Sequence, residues 1–128
     1  MDTRAKHLLV ELRQCAAVAL DDLEALKRLM HAAARAAGAT VVGEAFHRYA
    51  PHGVTGVLLL EESHFSLHTW PEAGYAAFDF YTCGALDPEP AARVVAEGLG
   101  NAKATLIEIA RGLPEADGAP SVARRSSW

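Results

Sequence analysis

The sequence has only two cysteines, Cys15 and Cys83, in 128 residues. That is too few for a disulfide scaffold, and a cytoplasmic setting is the expectation that follows. Long hydrophobic runs are also missing. Nothing approaches the ~20 consecutive apolar residues of a membrane span. The opening stretch MDTRAKHLLVEL mixes acids with bases, and its apolar part is too short for a signal peptide. Excess positive charge is missing as well: the net charge is −4, which argues against nucleic acid as the main partner. The chain contains no CxxC, HExxH or GxSxG and no internal repeat, so the commonest zinc and serine-hydrolase signatures are absent.

Hydrophobic residues make up 51% of the chain, enough to build a core, and the length suits one domain. KHLLVELRQC (6–15) reads as a strand with Leu8, Val10 and Leu12 on one side. LDDLEALKRLMHAAARAAG (20–38) reads as a helix with Asp21 or Asp22 as cap and Gly38 at its end. Strands are expected at 40–50, at 57–62 (fully buried) and at 64–70. In the last, Phe65, Leu67 and Thr69 face one way and His64, Ser66, His68 and Trp70 the other. A further strand covers 75–84, a helix capped by Asp87 covers 86–101, and a strand covers 102–112. The pattern predicts an α+β, two-layer sandwich: a mainly antiparallel sheet with two helices on one face. The uncovered face would need a partner, so a dimer is expected. Residues 1–113 form a single domain on this reading, and 114–128, rich in Pro, Ser, Ala and Arg, a disordered tail.

Residues 47–83 concentrate Ser, Thr, His, Cys and Glu. His64 and His68 share a strand face and, with Cys83 or His52, offer a zinc-ligand set, though i and i+4 on a strand are too far apart for easy chelation. Cys83 or Ser63 with a histidine base is a possible nucleophile. Each residue also has a plainer role: Cys15 and Cys83 as buried inert thiols, Tyr49 and Trp70 as half-buried packing residues, Glu72 as solvated surface.

SHFSLHTWPEAGYAAFDFYTCG (63–84) closely resembles the signature of the bacterial and archaeal S-adenosylmethionine decarboxylase proenzymes, which runs approximately SHISIHTWPE and then GYAAVDIFTCG. The likeness extends through FHRYAPHGVTGVLLLEE (46–62), GATVV (38–42) and HLLVEL (7–12), and covers roughly residues 6–112. It implies self-cleavage between Glu62 and Ser63. The Ser63 hydroxyl would attack the Glu62 carbonyl, and Ser63 would become a pyruvoyl group that forms a Schiff base with the substrate amine. The group serves as the electron sink that PLP supplies elsewhere, with no metal and no PLP. By the same resemblance His68 is the proton acceptor in processing, Cys83 the proton donor in catalysis and Thr55 a processing hydroxyl at a position that is commonly serine. Glu11 and Glu72 are carboxylates near the substrate, and Tyr49 stands at a commonly Phe position suited to stacking on adenine. The implied activity is decarboxylation of S-adenosylmethionine, a small-molecule substrate, for polyamine synthesis, in self-associated αβ protomers. Two alternatives stay open at this point: an arginine or ornithine decarboxylase on the same scaffold, and an uncleaved, non-catalytic or metal-binding protein.

Overall fold

The computed structural model describes residues 3–83, 85–113 and 119–128. Seven strands form one antiparallel sheet: β1 (Ala5–Arg13), β2 (Val41–Arg48), β3 (Val54–Leu60), β4 (Ser63–Trp70), β5 (Tyr75–Cys83), β6 (Lys103–Arg111) and β7 (Ser121–Ser127). Their order across the sheet is β2-β3-β4-β5-β1-β6-β7. The helices are α1 (Ala17–Leu20), α2 (Leu23–Ala36) and α3 (Glu89–Gly98). This is the expected α+β architecture, with a short extra helix and an extra edge strand.

The alternation of side chains decides which face meets the helices. Leu8, Val10 and Leu12 of β1, Phe65 and Leu67 of β4, and Phe78 and Phe80 of β5 are all buried. They form one core with Leu26, Met30, Ala33, Ala34, Ala91, Ala92, Val95 and Ala96 of the helices. The Asp22 side chain accepts from the Ala25 N–H at 3.1 Å and so caps α2, which ends before Gly38 at φ 79°. The expected single helix from residue 20 is broken by a turn at Asp21, which separates α1 from α2. For α3 the cap position is Pro88. Asp87 instead accepts from the Glu89 N–H at 3.1 Å, one position outside the expected role.

Two expectations are corrected. The 57–62 segment is not a fully buried strand: β3 starts at Val54 and alternates, leaving Leu59 54% exposed on the uncovered face. The composition that suggested a disordered tail over 114–128 is overridden within Ser121–Ser127, which pairs with β6 from Thr105↔Ser127 to Ala110↔Ser121. Residues 114–118 lie outside the described residues. Backbone pairing supplies what the side chains lack, and three contacts add to it. Arg124 reaches Glu89 on α3 (3.1 Å) and Glu108 on β6 (3.4 Å), and the Arg93 guanidinium sits over the Trp128 ring at 4.2 Å.

Candidate active site

The uncovered face carries the polar side chains, and strand register arranges them in rows. One row runs His47, Thr55, His68, Ala77, Glu11 and Thr105 across β2, β3, β4, β5, β1 and β6. The next runs Val57, Ser66, Asp79, Leu9 and Ile107, and the one beyond it Leu59, His64, Tyr81, His7 and Ile109. Past that, at the sheet edge, lie Ser63 and Cys83.

At this edge Leu60 pairs with Ser63, so Glu61 and Glu62 form a two-residue hairpin connection. Ser63 has φ 144°, far beyond the values of Gln14 (58°) and Asn101 (55°). Few residues other than glycine adopt such a backbone, and it stores strain. The Cys83 N–H donates to the Glu62 carbonyl at 3.1 Å, and the Thr40 N–H donates to Glu62 Oε1 at 3.0 Å. The Glu62–Ser63 peptide is therefore held by an N–H aimed at its carbonyl oxygen, and the Glu62 side chain is held separately by Thr40. Cys83 is exposed, whereas Cys15 is buried and its thiol is pushed up by that burial.

In the middle rows Asp79 accepts hydrogen bonds from His7 Nε2 (2.5 Å), His64 Nε2 (3.0 Å) and the Ser66 hydroxyl. Burial opposes its ionisation, but these bonds outweigh burial and hold its carboxyl below the usual value. The His64 ring stacks on Tyr81 at 5.7 Å. His7 Nε2, His64 Nε2 and an Asp79 oxygen lie close enough together to suggest a metal. The donor chemistry does not fit one. Arg111 donates to His7 Nδ1 at 3.1 Å, and a guanidinium has no acceptor. His7 Nδ1 is therefore bare, and its proton sits on the Nε2 that a metal would need. The ligand set drawn from sequence also comes apart: His68 pairs with Thr55 and His52 with Glu72, away from His64 and Cys83.

At the other end, Tyr49, His52, Gly53, Thr55, His68, Thr69, Trp70 and Glu72 line a cavity of about 250 Å³. Thr55 Oγ1 is 3.0 Å from His68 Nδ1, and Tyr49 Oη is 3.1 Å from Thr55 Oγ1. His52 hydrogen-bonds the Glu72 carboxylate. Tyr49 and Trp70 are 47% and 44% exposed, Trp70 with its ring packed on Tyr75 at 5.2 Å and Tyr49 met edge-on by His47. Glu11 stays outside the cavity but shares the His68 row. It accepts from the Tyr75 hydroxyl, whose pKa burial and that carboxylate push up to about 12.

The structure thus brings Ser63, Cys83 and Glu62 together at one end, and Thr55, His68, Tyr49 and Glu72 at the other. It does not bring the two groups together. Ser63 and His68 are five residues apart on one straight strand, about 17 Å at ~3.3 Å per residue. His7, Asp79 and Arg111 were not singled out from sequence. The signal for Asp79 was there: it is the one acid in the apolar strand YAAFDFYTC.

Fold and site together define an α+β enzyme whose reactive side chains lie on the uncovered face of an antiparallel sheet. Residues 6–112 match the family model described as S-adenosylmethionine decarboxylase. Over 113 residues the chain is 44% identical to the S-adenosylmethionine decarboxylase proenzyme of Anoxybacillus flavithermus, covering 88% of this chain and 91% of that one. It is also 44% identical over 109 residues to the proenzyme of Pseudomonas paraeruginosa, covering 84% and 68%. Among solved structures, the adenosylmethionine decarboxylase of Aquifex aeolicus VF5 superposes with a TM-score of 0.76 at 37% identity, covering 91% of this chain and 97% of that one. The chain belongs to the S-adenosylmethionine decarboxylase family.

Proposed function

We propose that this chain cleaves itself between Glu62 and Ser63 and then decarboxylates S-adenosylmethionine with a pyruvoyl group derived from Ser63. The observation that carries this reading is the clamped peptide at Ser63. The backbone there is strained at φ 144°, and the Cys83 N–H holds the Glu62 carbonyl at 3.1 Å.

The Ser63 hydroxyl adds to that carbonyl. Negative charge develops on the oxygen facing the Cys83 N–H, an oxyanion-type contact. The C–N bond breaks, the amide nitrogen takes the proton, and an ester remains. Removal of the Ser63 Cα proton expels the Glu62 carboxylate from Cβ and leaves dehydroalanine. Hydrolysis of its imine tautomer releases ammonia and leaves the pyruvoyl group at the start of 63–128. Breaking the C–N bond removes the Ser63 φ torsion altogether, so ester formation relieves the strain held at φ 144°. The residues at this edge fit the group in that respect.

When formed, the pyruvoyl carbonyl supplies the electron sink for the breaking C–COO⁻ bond. Cys83, exposed beside Ser63, is positioned to return a proton to the substrate carbon through its thiol. Tyr49 and Trp70 offer ring faces to adenine and to the sulfonium cation. Glu72 and Glu11 offer carboxylates to hydroxyl and ammonium donors. Family membership favours S-adenosylmethionine over arginine or ornithine.

His68 is assigned as acceptor of the Ser63 Cα proton and Thr55 as its hydroxyl partner, and both are too far from Ser63 within one chain. The 250 Å³ cavity is also smaller than the ~300–1,000 Å³ usual for small-molecule sites. A second copy resolves both. Leu9 and Leu59, 41% and 54% exposed, lie on the same uncovered face. Two such faces packed about a two-fold axis that runs across the strands would bring the Thr55–His68 end of one protomer to the Ser63–Cys83 end of the other. Among the described residues no helix is long and apolar enough to cross a membrane, and a cytoplasmic site is part of this proposal.

Denaturing mass spectrometry tests the reading. Purified protein should yield fragments 1–62 and 63–128, the second blocked at its N-terminus, and Ser63→Ala should stay whole. A wild-type chain that remains intact on long incubation would refute it.

A further inference from the structure

Tyr49 stacks no ring in the core and fills no helix contact, yet it is tightly placed. Its N–H donates to the Gly53 carbonyl at 2.8 Å, and the Gly53 N–H donates to Asp21 Oδ1 at 2.9 Å. Its ring meets His47 edge-on at 4.5 Å. These contacts aim the phenol at Thr55 Oγ1, 3.1 Å away, and Thr55 Oγ1 is in turn 3.0 Å from His68 Nδ1. The three polar atoms form one chain of two hydrogen bonds.

Such a chain has two proton arrangements. In the first, the phenol donates to Thr55, Thr55 donates to His68 Nδ1, and the imidazole carries its proton on Nε2. In the second, His68 Nδ1–H donates to Thr55, Thr55 donates to the phenol oxygen, and Nε2 is bare. Only the second gives a base. Nδ1 is taken by Thr55 in either case, so an incoming proton needs a bare Nε2. The second arrangement needs an acceptor for the Thr55 hydroxyl, and the Tyr49 oxygen is that acceptor. Phenylalanine at 49 would leave the hydroxyl to turn back onto His68 Nδ1, which restores the first arrangement and blocks the base. The threonine methyl limits where the hydroxyl can turn instead.

We propose that Tyr49 is a positioning residue for self-cleavage: its phenol oxygen accepts the hydrogen bond of the Thr55 hydroxyl and thereby holds His68 in the tautomer with a bare Nε2. This rests on the role given to His68 above and adds a residue otherwise assigned to stacking. It also links two departures from the residues the family commonly carries, Tyr at 49 and Thr at 55, as one compensated pair.

Time courses of cleavage on freshly synthesised chain test it. Tyr49→Phe should cleave about tenfold more slowly, the size of one hydrogen bond. The double variant Tyr49→Phe/Thr55→Ser should recover to within about twofold of wild type, because a serine hydroxyl rotates more freely. In the non-cleaving Ser63→Ala chain, ¹⁵N spectra of His68 should show a bare Nε2. Adding Tyr49→Phe to that chain should move the proton onto Nε2, a change that loss of packing alone would not produce. Wild-type cleavage by Tyr49→Phe, a double variant as slow as the single, or an unchanged His68 tautomer would each overturn the inference. His68→Ala separates the two levels. If it cleaves at the wild-type rate, the role of His68 itself fails. If it is inert while Tyr49→Phe is unaffected, only the role of Tyr49 fails.

Discussion

At the scale of single residues, the division of labour proposed for Ser63 and Cys83 follows from where β4 begins and β5 ends. Register puts Ser63 opposite Thr82, beside Cys83, and the Cys83 N–H already holds the Glu62 carbonyl. On the proposed reading, backbone and side chain of Cys83 therefore serve different steps: the N–H bears on cleavage and the thiol on turnover. Cys83→Ser tests that separation, because it keeps the N–H and exchanges a thiol for a far weaker acid. The variant should fold and still cleave, at least in part, but decarboxylate slowly. Protonation at the wrong carbon should rise and convert the first residue of the downstream chain to alanine. Mass spectrometry of that chain after turnover counts the alanine. A fully cleaved Cys83→Ser protein with wild-type turnover and no excess alanine would remove Cys83 as proton donor.

At the scale of elements, β7 is the part composition misjudged. SVARRSS has few apolar residues, so it cannot drive its own burial. It is held by the ladder to β6, by Arg124 between Glu89 and Glu108, and by Trp128 under Arg93. It also covers the edge of β6, whose open N–H and C=O groups would otherwise invite pairing between molecules. Removing residues 119–128 should destabilise the fold by about 1–3 kcal/mol, read as a fall in Tm of about 2–8 °C for each kcal/mol. The truncated protein should also aggregate as concentration rises, while the Glu62–Ser63 peptide still cleaves. An unchanged melting curve with no aggregation would mean that β7 adds nothing to the sheet.

At the scale of the whole molecule, the distance along β4 is the deciding fact. A straight strand cannot bend His68 back to Ser63, so on the proposed reading each chain supplies halves of two different sites. Light scattering should therefore give twice the 13.6 kDa protomer mass. Complementation is a stricter check. Ser63→Ala lacks the attacking hydroxyl but keeps His68, and His68→Ala has the reverse defect. Each should stay intact alone. Co-expressed, they should form mixed dimers in which only the His68→Ala chain is cut. Cleavage of that chain in the absence of the other, or of neither chain in the mixture, would refute a shared site.

Much of the core could be predicted before folding, because alternation is a local property. HFSLHTW puts Phe65 and Leu67 inward and His64, Ser66 and His68 outward whatever the strand pairs with, since successive side chains on a strand point to opposite faces. The serine-to-cysteine motif likewise carried the family, and with it the candidate residues. What no linear reading contained was adjacency across strands. His7 and Asp79 are 72 residues apart and became partners only when β1 settled beside β5. Tyr49, Thr55 and His68 became one hydrogen-bonded chain only through the pairing of β3 with β2 on one side and β4 on the other. Ser63 and His68 look like neighbours in the sequence, and an extended backbone sets them about 17 Å apart at ~3.3 Å per residue. Side-chain alternation is written locally, while register and edge pairing depend on contacts between distant segments, so only the tertiary structure decided them.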